Sequence, residues 1–448
     1  MLGLIVNPIA GVGGPAGLAG SDGADVQRSA LARGASARAS ARAALALGSL
    51  PVGTTVLTAA GAMGEDAVRA AGLEAVVVFE PGDPTSSADT TAATRALVAA
   101  GATLILFAGG DGTARDVAAG LWHPSGPLSE RQRDETSQAD LGNSLRFDSL
   151  RSLNDRHVGA ARSLNDRRVG TARSLNDRHV GAGAPSLNDQ RGTVAALGIP
   201  AGVKMYSPVF AVSPRAAGGL AAAWLDGDLP GQQREVLDID EAAMRRARVE
   251  PRLYALMNVP YRAGRTQARK APTPTDEKDA VAAAARGAAS MLRPGVRYLL
   301  GPGGTMAELA RALGVEKTPL GVDVVLDGEL VLSAASEQQL LDEIAEGPAQ
   351  AVVSVIGGQG FLLGRGNQQL SARVLRALGD GPDGRGPLLV VAPESKLVDL
   401  RGRALLVDTG DLAVDAALAG FVRVVTGAAA SSLYPVHAPE LMEENHAS

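Results

Sequence analysis

An apolar run that stops on Gly109-Gly110-Asp111-Gly112-Thr113 constrains this chain more than any other segment. The run is Thr103-Leu-Ile-Leu-Phe-Ala108, and a short helical pattern, Ala114-Arg-Asp-Val-Ala-Ala119, follows the glycines. Apolar residues bounded by glycines in this way read as a strand buried on both faces, the kind found in parallel sheets. The glycines then sit at the strand's carboxyl end, where open α/β sheets bind ligands. Without side chains they let backbone N–H groups approach an anion closely, with a helix N-terminus behind them. Asp111 is electrostatically out of place there unless it handles a proton or a metal-bound phosphate. The combination points to phosphoryl transfer.

The same alternation of strand and helix extends through the first part of the chain. Strands are expected at Leu2–Val6, Thr54–Thr58, Ala75–Phe79 and Thr103–Ala108, with helices at Ser36–Leu47 and Ser86–Ala100. This pattern predicts an α/β fold with a doubly wound parallel sheet. From 122 to 192 the character changes, and Ser-Leu-Asn-Asp recurs at 152, 163, 174 and 186. Units this short and this rich in Asn, Asp and Gly do not build a solenoid, so a disordered repeat insert is expected. Residues 193–204 resume the first domain, with a buried strand beginning at Ala195 and ending in a turn at Gly202. A second α/β or α+β domain is expected over 205–430, returning to the first near its end, with 431–448 as a tail. Two further glycine clusters fall in it, Gly301-Pro302-Gly303-Gly304-Thr305 and Gly357-Gly358-Gln359-Gly360.

Composition removes most rival chemistries. The chain of 448 residues has no cysteine, which excludes disulfides, thiolate catalysis and zinc–sulfur sites. Three of the five histidines lie in or beside the repeats and two near the C-terminus, so Ser–His–Asp hydrolysis is not expected. No G-x-x-x-x-G-K-[ST] occurs. Gly11-Val-Gly-Gly-Pro-Ala16 fits a dinucleotide fingerprint, but Pro15 falls where the helix should run and the second strand carries no ribose-binding acid. The net charge of −5 gives no general attraction to nucleic acid or anionic lipid. No signal peptide or spanning segment is read, and a cytoplasmic protein is expected. Asp111 is left as the proton-handling candidate, with Thr113 capping the following helix or donating to a phosphate. Lys204 and Arg365 are the cations nearest the glycine loops. Asp323 is read as a structural carboxylate.

The strand–Gly-Gly-Asp-Gly-Thr–helix unit resembles the signature of the NAD kinase and diacylglycerol/sphingosine lipid kinase superfamily. Asn7-Pro8-Ile9-Ala10-Gly11 is similar to a strand-end loop of the same superfamily. With Leu197-Gly-Ile-Pro-Ala-Gly-Val-Lys-Met-Tyr-Ser207, Leu300-Gly-Pro-Gly-Gly-Thr305 and Ile356–Asn367, the chain looks like the ATP-NAD kinase-like proteins, including the acetoin-catabolism X type. The resemblance implies that Asp111 acts as, or orients, the base on the acceptor hydroxyl. It implies that Asn7, Gly11, Gly109, Gly110, Gly112, Thr113, Gly202, Lys204, Gly301, Gly303, Gly304 and Thr305 surround nucleotide or phosphate. NAD and ATP or polyphosphate are the implied substrates, Mg²⁺ the implied ion, and a homo-oligomer the implied assembly. Where well-studied NAD kinases carry an Asn-acid pair for the ribose, this chain has Asn258 followed by Val259. A lipid or small-polyol kinase, and a nucleotide-sensing regulator without turnover, are the alternative readings.

Overall fold

The computed structural model describes residues 1–14, 38–121, 194–203, 205–239, 251–267, 278–382 and 384–442. The repeats, Lys204 and the polar stretch 268–277 lie outside the described residues. Residues 1–121 and 192–448 form one compact unit.

The apolar runs of the first part become β1 (Leu2–Val6), β2 (Thr55–Ala59), β3 (Glu74–Phe79), β4 (Leu104–Gly109) and β5 (Ala195–Pro200). They form one sheet in the order β3-β2-β1-β4-β5, with every neighbouring pair parallel. Leu104, Ile105, Leu106, Phe107 and Ala108 are all fully buried, as a central parallel strand requires. At about 1.5–3 kcal/mol for each large apolar side chain buried, this strand is a main contributor to the core. Phe107 meets Phe210 edge-on, with ring centroids 5.6 Å apart. Helices Ala39–Leu47 and Pro214–Leu225 pack on one another, as do Ser87–Ala99 and Asp111–Leu121. The second of these pairs begins with a capping box, in which Ser86 and Asp89 satisfy each other's backbone N–H groups.

An antiparallel ribbon, β6 (Gly231–Ile239) and β7 (Pro251–Pro260), follows and packs β7 against β5. The second sheet comprises β8 (Arg297–Leu300), β9 (Asp323–Leu326), β10 (Glu329–Leu332), β11 (Ala349–Val353), β12 (Phe361–Leu363), β13 (Leu388–Val391), β14 (Leu405–Val407), β15 (Gly420–Val425) and β16 (Ser431–His437). Its order is β10-β9-β8-β11-β13-β15-β16-β14-β12. The run β8-β11-β13-β15 is parallel, whereas β9, β10 and β16 bring antiparallel pairings. Phe361 of β12 is fully buried within the first sheet's core, so the far edge of the second sheet is keyed into the first.

Two sequence readings change here. Residues 431–437, expected to open a tail, form β16 between β15 and β14. The helix after the glycine cluster starts at Asp111 rather than Ala114, so Asp111, Gly112 and Thr113 make its first turn.

Candidate active site

The strand order reverses between β1 and β4, since one half of the sheet runs from β1 out to β3 and the other from β4 to β5. A crevice opens at such a switch point beyond the strands' carboxyl ends. The loop after β1 carries Asn7, and the turn after β4 carries Gly109 and Gly110. The two are joined directly. Asn7 Nδ2 donates to Thr113 Oγ1 at 3.0 Å, while Asn7 Oδ1 accepts from Ile9 N at 3.2 Å. Thr113 therefore lies inside the helix and receives this bond instead of capping the helix start.

The turn after β5 closes the third side. Ala201 N and Gly202 N both donate to Gly109 O, at 3.1 and 2.8 Å. A Cβ on Gly202 would stand 2.4 Å from Gly110 Cα, closer than any side chain tolerates. Gly11 is constrained by both conformation and space, with φ +80° and Ala201 O only 2.4 Å from where its Cβ would be. These close backbone approaches explain why glycine occupies positions 11 and 202.

Asp111 is 7% exposed. Its Oδ2 accepts from Tyr206 N at 2.7 Å and its Oδ1 from Ser207 N at 3.0 Å. A carboxylate only accepts, so both bonds orient it as the charged form. The electrostatic oddity of an acid among phosphate-binding glycines resolves in this arrangement. Amide donors from a different segment stabilise the carboxylate, and the glycine amides need not. Tyr206 and Ser207 were not legible from the sequence, because they act through backbone N–H groups that any residue but proline supplies.

Residues 205–207 are also where the later glycine clusters approach. Gln359 Nε2 donates to Met205 O at 2.9 Å, which brings the third cluster against this segment. Gln368 Nε2 reaches Gly202 O at 3.3 Å. Leu320 packs against Tyr206, and the neighbouring Pro319 accepts from Gly303 N at 3.3 Å. Gly301 and Gly303 occupy the turn after β8, and Gly304 and Thr305 open the helix Gly304–Leu313. Lys396 Nζ donates to Thr305 Oγ1 at 2.9 Å. This basic contact, absent from the sequence reading, makes Lys396 a cation beside the second cluster. Asn258 of β7 is buried, and its Nδ2 has no hydrogen-bond partner among the described residues.

Arg365 does not face the glycine turns as a free cation. It is buried, bonded to Asp408 and to two carbonyls. Asp323 is structural as read, accepting from Thr318 N, Thr318 Oγ1 and Ala334 N at 2.6–2.7 Å. Among the described residues no group of three histidines, aspartates or glutamates stands close enough to hold a metal. Among the described residues no helix is long and apolar enough to cross a membrane.

A parallel-sheet switch point, a glycine turn opening a helix and a held carboxylate meet at one place in the first sheet. The ATP-NAD kinase N-terminal domain model matches residues 2–127 and the ATP-NAD kinase C-terminal domain model matches 293–436. The chain belongs to the ATP-NAD kinase family, and it is a kinase phosphotransferase whose family reaction converts NAD to NADP. Comparison with curated proteins and with solved structures finds no match.

Proposed function

We propose that the protein transfers the terminal phosphoryl group of ATP to the 2′-hydroxyl of NAD. The observation that carries this reading is Asp111, buried at the helix start with both oxygens oriented by backbone amides. The donor's phosphates lie on the amides of Gly109, Gly110 and Gly112 at the positive end of the helix Asp111–Leu121, where charge and donor geometry favour an anion. Asn7 and Gly11 flank them from the β1 loop. Asp111 accepts the acceptor hydroxyl's proton as the bond to phosphorus forms. Most of the acceleration comes from alignment and from stabilising charge on the transferring group. Gly301–Thr305, with Lys396, bounds the opposite side and holds a further phosphate. Asn258 Nδ2 is the buried donor available to the NAD ribose.

The test is direct. Purified protein is incubated with Mg²⁺, NAD and either ATP or polyphosphate, and NADP is measured. Product with ATP is expected. Product with polyphosphate alone would replace the donor, and none with either donor would remove the reading altogether. Nucleotide binding without turnover would instead identify a sensor.

A further inference from the structure

Behind the glycine turns lies a buried charge cluster that the phosphoryl-transfer reading does not use. Asp408, at the end of β14, is buried between two guanidiniums. Arg42 Nη1 and Nη2 grip its two oxygens at 3.1 and 2.5 Å, and Arg365 Nη1 donates to Oδ2 at 2.8 Å. The Arg365 guanidinium also stacks over the Phe361 ring at 4.1 Å. Burial alone would raise the Asp408 carboxyl, but Arg42 and then Arg365 overcome it and hold its pKa well below the usual carboxylate range.

Each arginine has a second task. Arg42 Nε donates to Pro200 O, the last residue of β5. Arg365 donates to Gly364 O at 3.0 Å and Val212 O at 2.9 Å. A peptide unit is planar, with its carbonyl and N–H pointing oppositely. Fixing Pro200 O therefore fixes Ala201 N–H, which donates to Gly109 O. Fixing Gly109 O in turn aims Gly110 N–H to the other side of its own plane. One carboxylate in the C-terminal half thus orients, through two rigid peptide planes, an amide of the glycine turn.

We propose that Asp408, with Arg42 and Arg365, is the positioning centre of the phosphate-binding turn, holding the Pro200–Ala201 and Gly109–Gly110 peptides in the orientation that phosphoryl transfer requires. It deepens the proposed function by naming residues remote from the reacting atoms. These are positioning residues. Bidentate pairing matters, because lysine carries the same charge but cannot grip both Asp408 oxygens and Pro200 O together.

The experiment compares Arg42→Lys and Asp408→Asn with Glu343→Gln, which breaks the Arg297–Glu343 pair (3.0 Å) on another part of the second sheet. Amide hydrogen exchange at Gly109–Thr113 and kcat for NADP formation are read on folded protein. Arg42→Lys is expected to speed exchange at Gly110 and to lower kcat about 10- to 100-fold, the scale set by misplacements of about 1 Å. Glu343→Gln should change neither. Should Asp408→Asn not fold, the triple variant Arg42→Met/Arg365→Met/Asp408→Leu removes all three buried charges together, a replacement that often preserves folding. It should then fold with faster Gly110 exchange. Unaltered exchange at Gly110 in Arg42→Lys and in the foldable Asp408 variant would overturn the proposal, whatever the enzyme's activity. Absence of NADP from the unmodified protein would instead count against the proposed function alone.

Discussion

In the proposed reaction Asp111 is the proton acceptor, and its surroundings set what its replacement does. In Asp111→Asn one side-chain oxygen becomes an amide nitrogen, which cannot accept from Tyr206 N or Ser207 N. One backbone N–H is orphaned at a cost of about 1–3 kcal/mol, and the proton acceptor is lost. NADP formation is expected to fall about 10²- to 10⁴-fold, with thermal unfolding separating the two effects. Retained activity would refute the assigned role. Gly202→Ala forces a Cβ to 2.4 Å from Gly110 Cα, so backbone must move. A loss of about 1–3 kcal/mol and a higher KM for the donor are expected together. The glycines and Asp111 were legible because they form a contiguous run. The amides that hold Asp111 lie 95 and 96 residues further along, and no local pattern marks them.

Elements were most legible where burial was complete. β1, β4 and β5 have uniformly buried residues and read as apolar runs. β15 and β16 read poorly because much of each faces solvent, with Phe421 72% and Leu433 69% exposed. Pro435 is also unfavourable in a strand that pairs on both sides. It is tolerated because β16 pairs with β14 only at Val436 and His437, immediately beyond the proline. Helix starts were written more plainly. Ser336 accepts from Gln339 N while Gln339 reaches back to Ser336 N at 3.0 Å, a capping box. Ser336→Ala should lower stability by about 1 kcal/mol in thermal melts and leave the donor KM unchanged. A large change in that KM would mean that helix Glu337–Ala345 reports to the site.

At the scale of the whole molecule, the two halves are held together by charge as well as by Phe361. Asp408 binds its proton less readily in the folded chain than in the unfolded one. Its contribution is therefore fully present above the unfolded value near 4 and is lost as pH falls below it. Stability measured by denaturant titration should drop between about pH 4 and 2, and Arg42→Met/Arg365→Met/Asp408→Leu should flatten that drop. An equal slope in the variant would contradict the assignment. The repeats make a separate prediction. Because 1–121 and 192–448 form one unit without residues 122–191, excising 125–190 should change kcat by less than about twofold, given that additive effects require no shared contacts. Collapse of folding on excision would show that the segment carries part of the core.

The pairing of Arg42 with Asp408 spans 366 positions of chain, and synthesis proceeds from the N-terminus at about 5–20 residues per second. The glycine turn is complete long before the carboxylate that steadies it leaves the ribosome. Asp408 follows Thr113 by 295 positions, so for roughly 15–60 seconds at that rate a nascent chain holds the glycine turn without its brace. Catalytic competence therefore arrives late in synthesis, and truncated products, however well their first sheet forms, stay silent toward the cell's nucleotide pool.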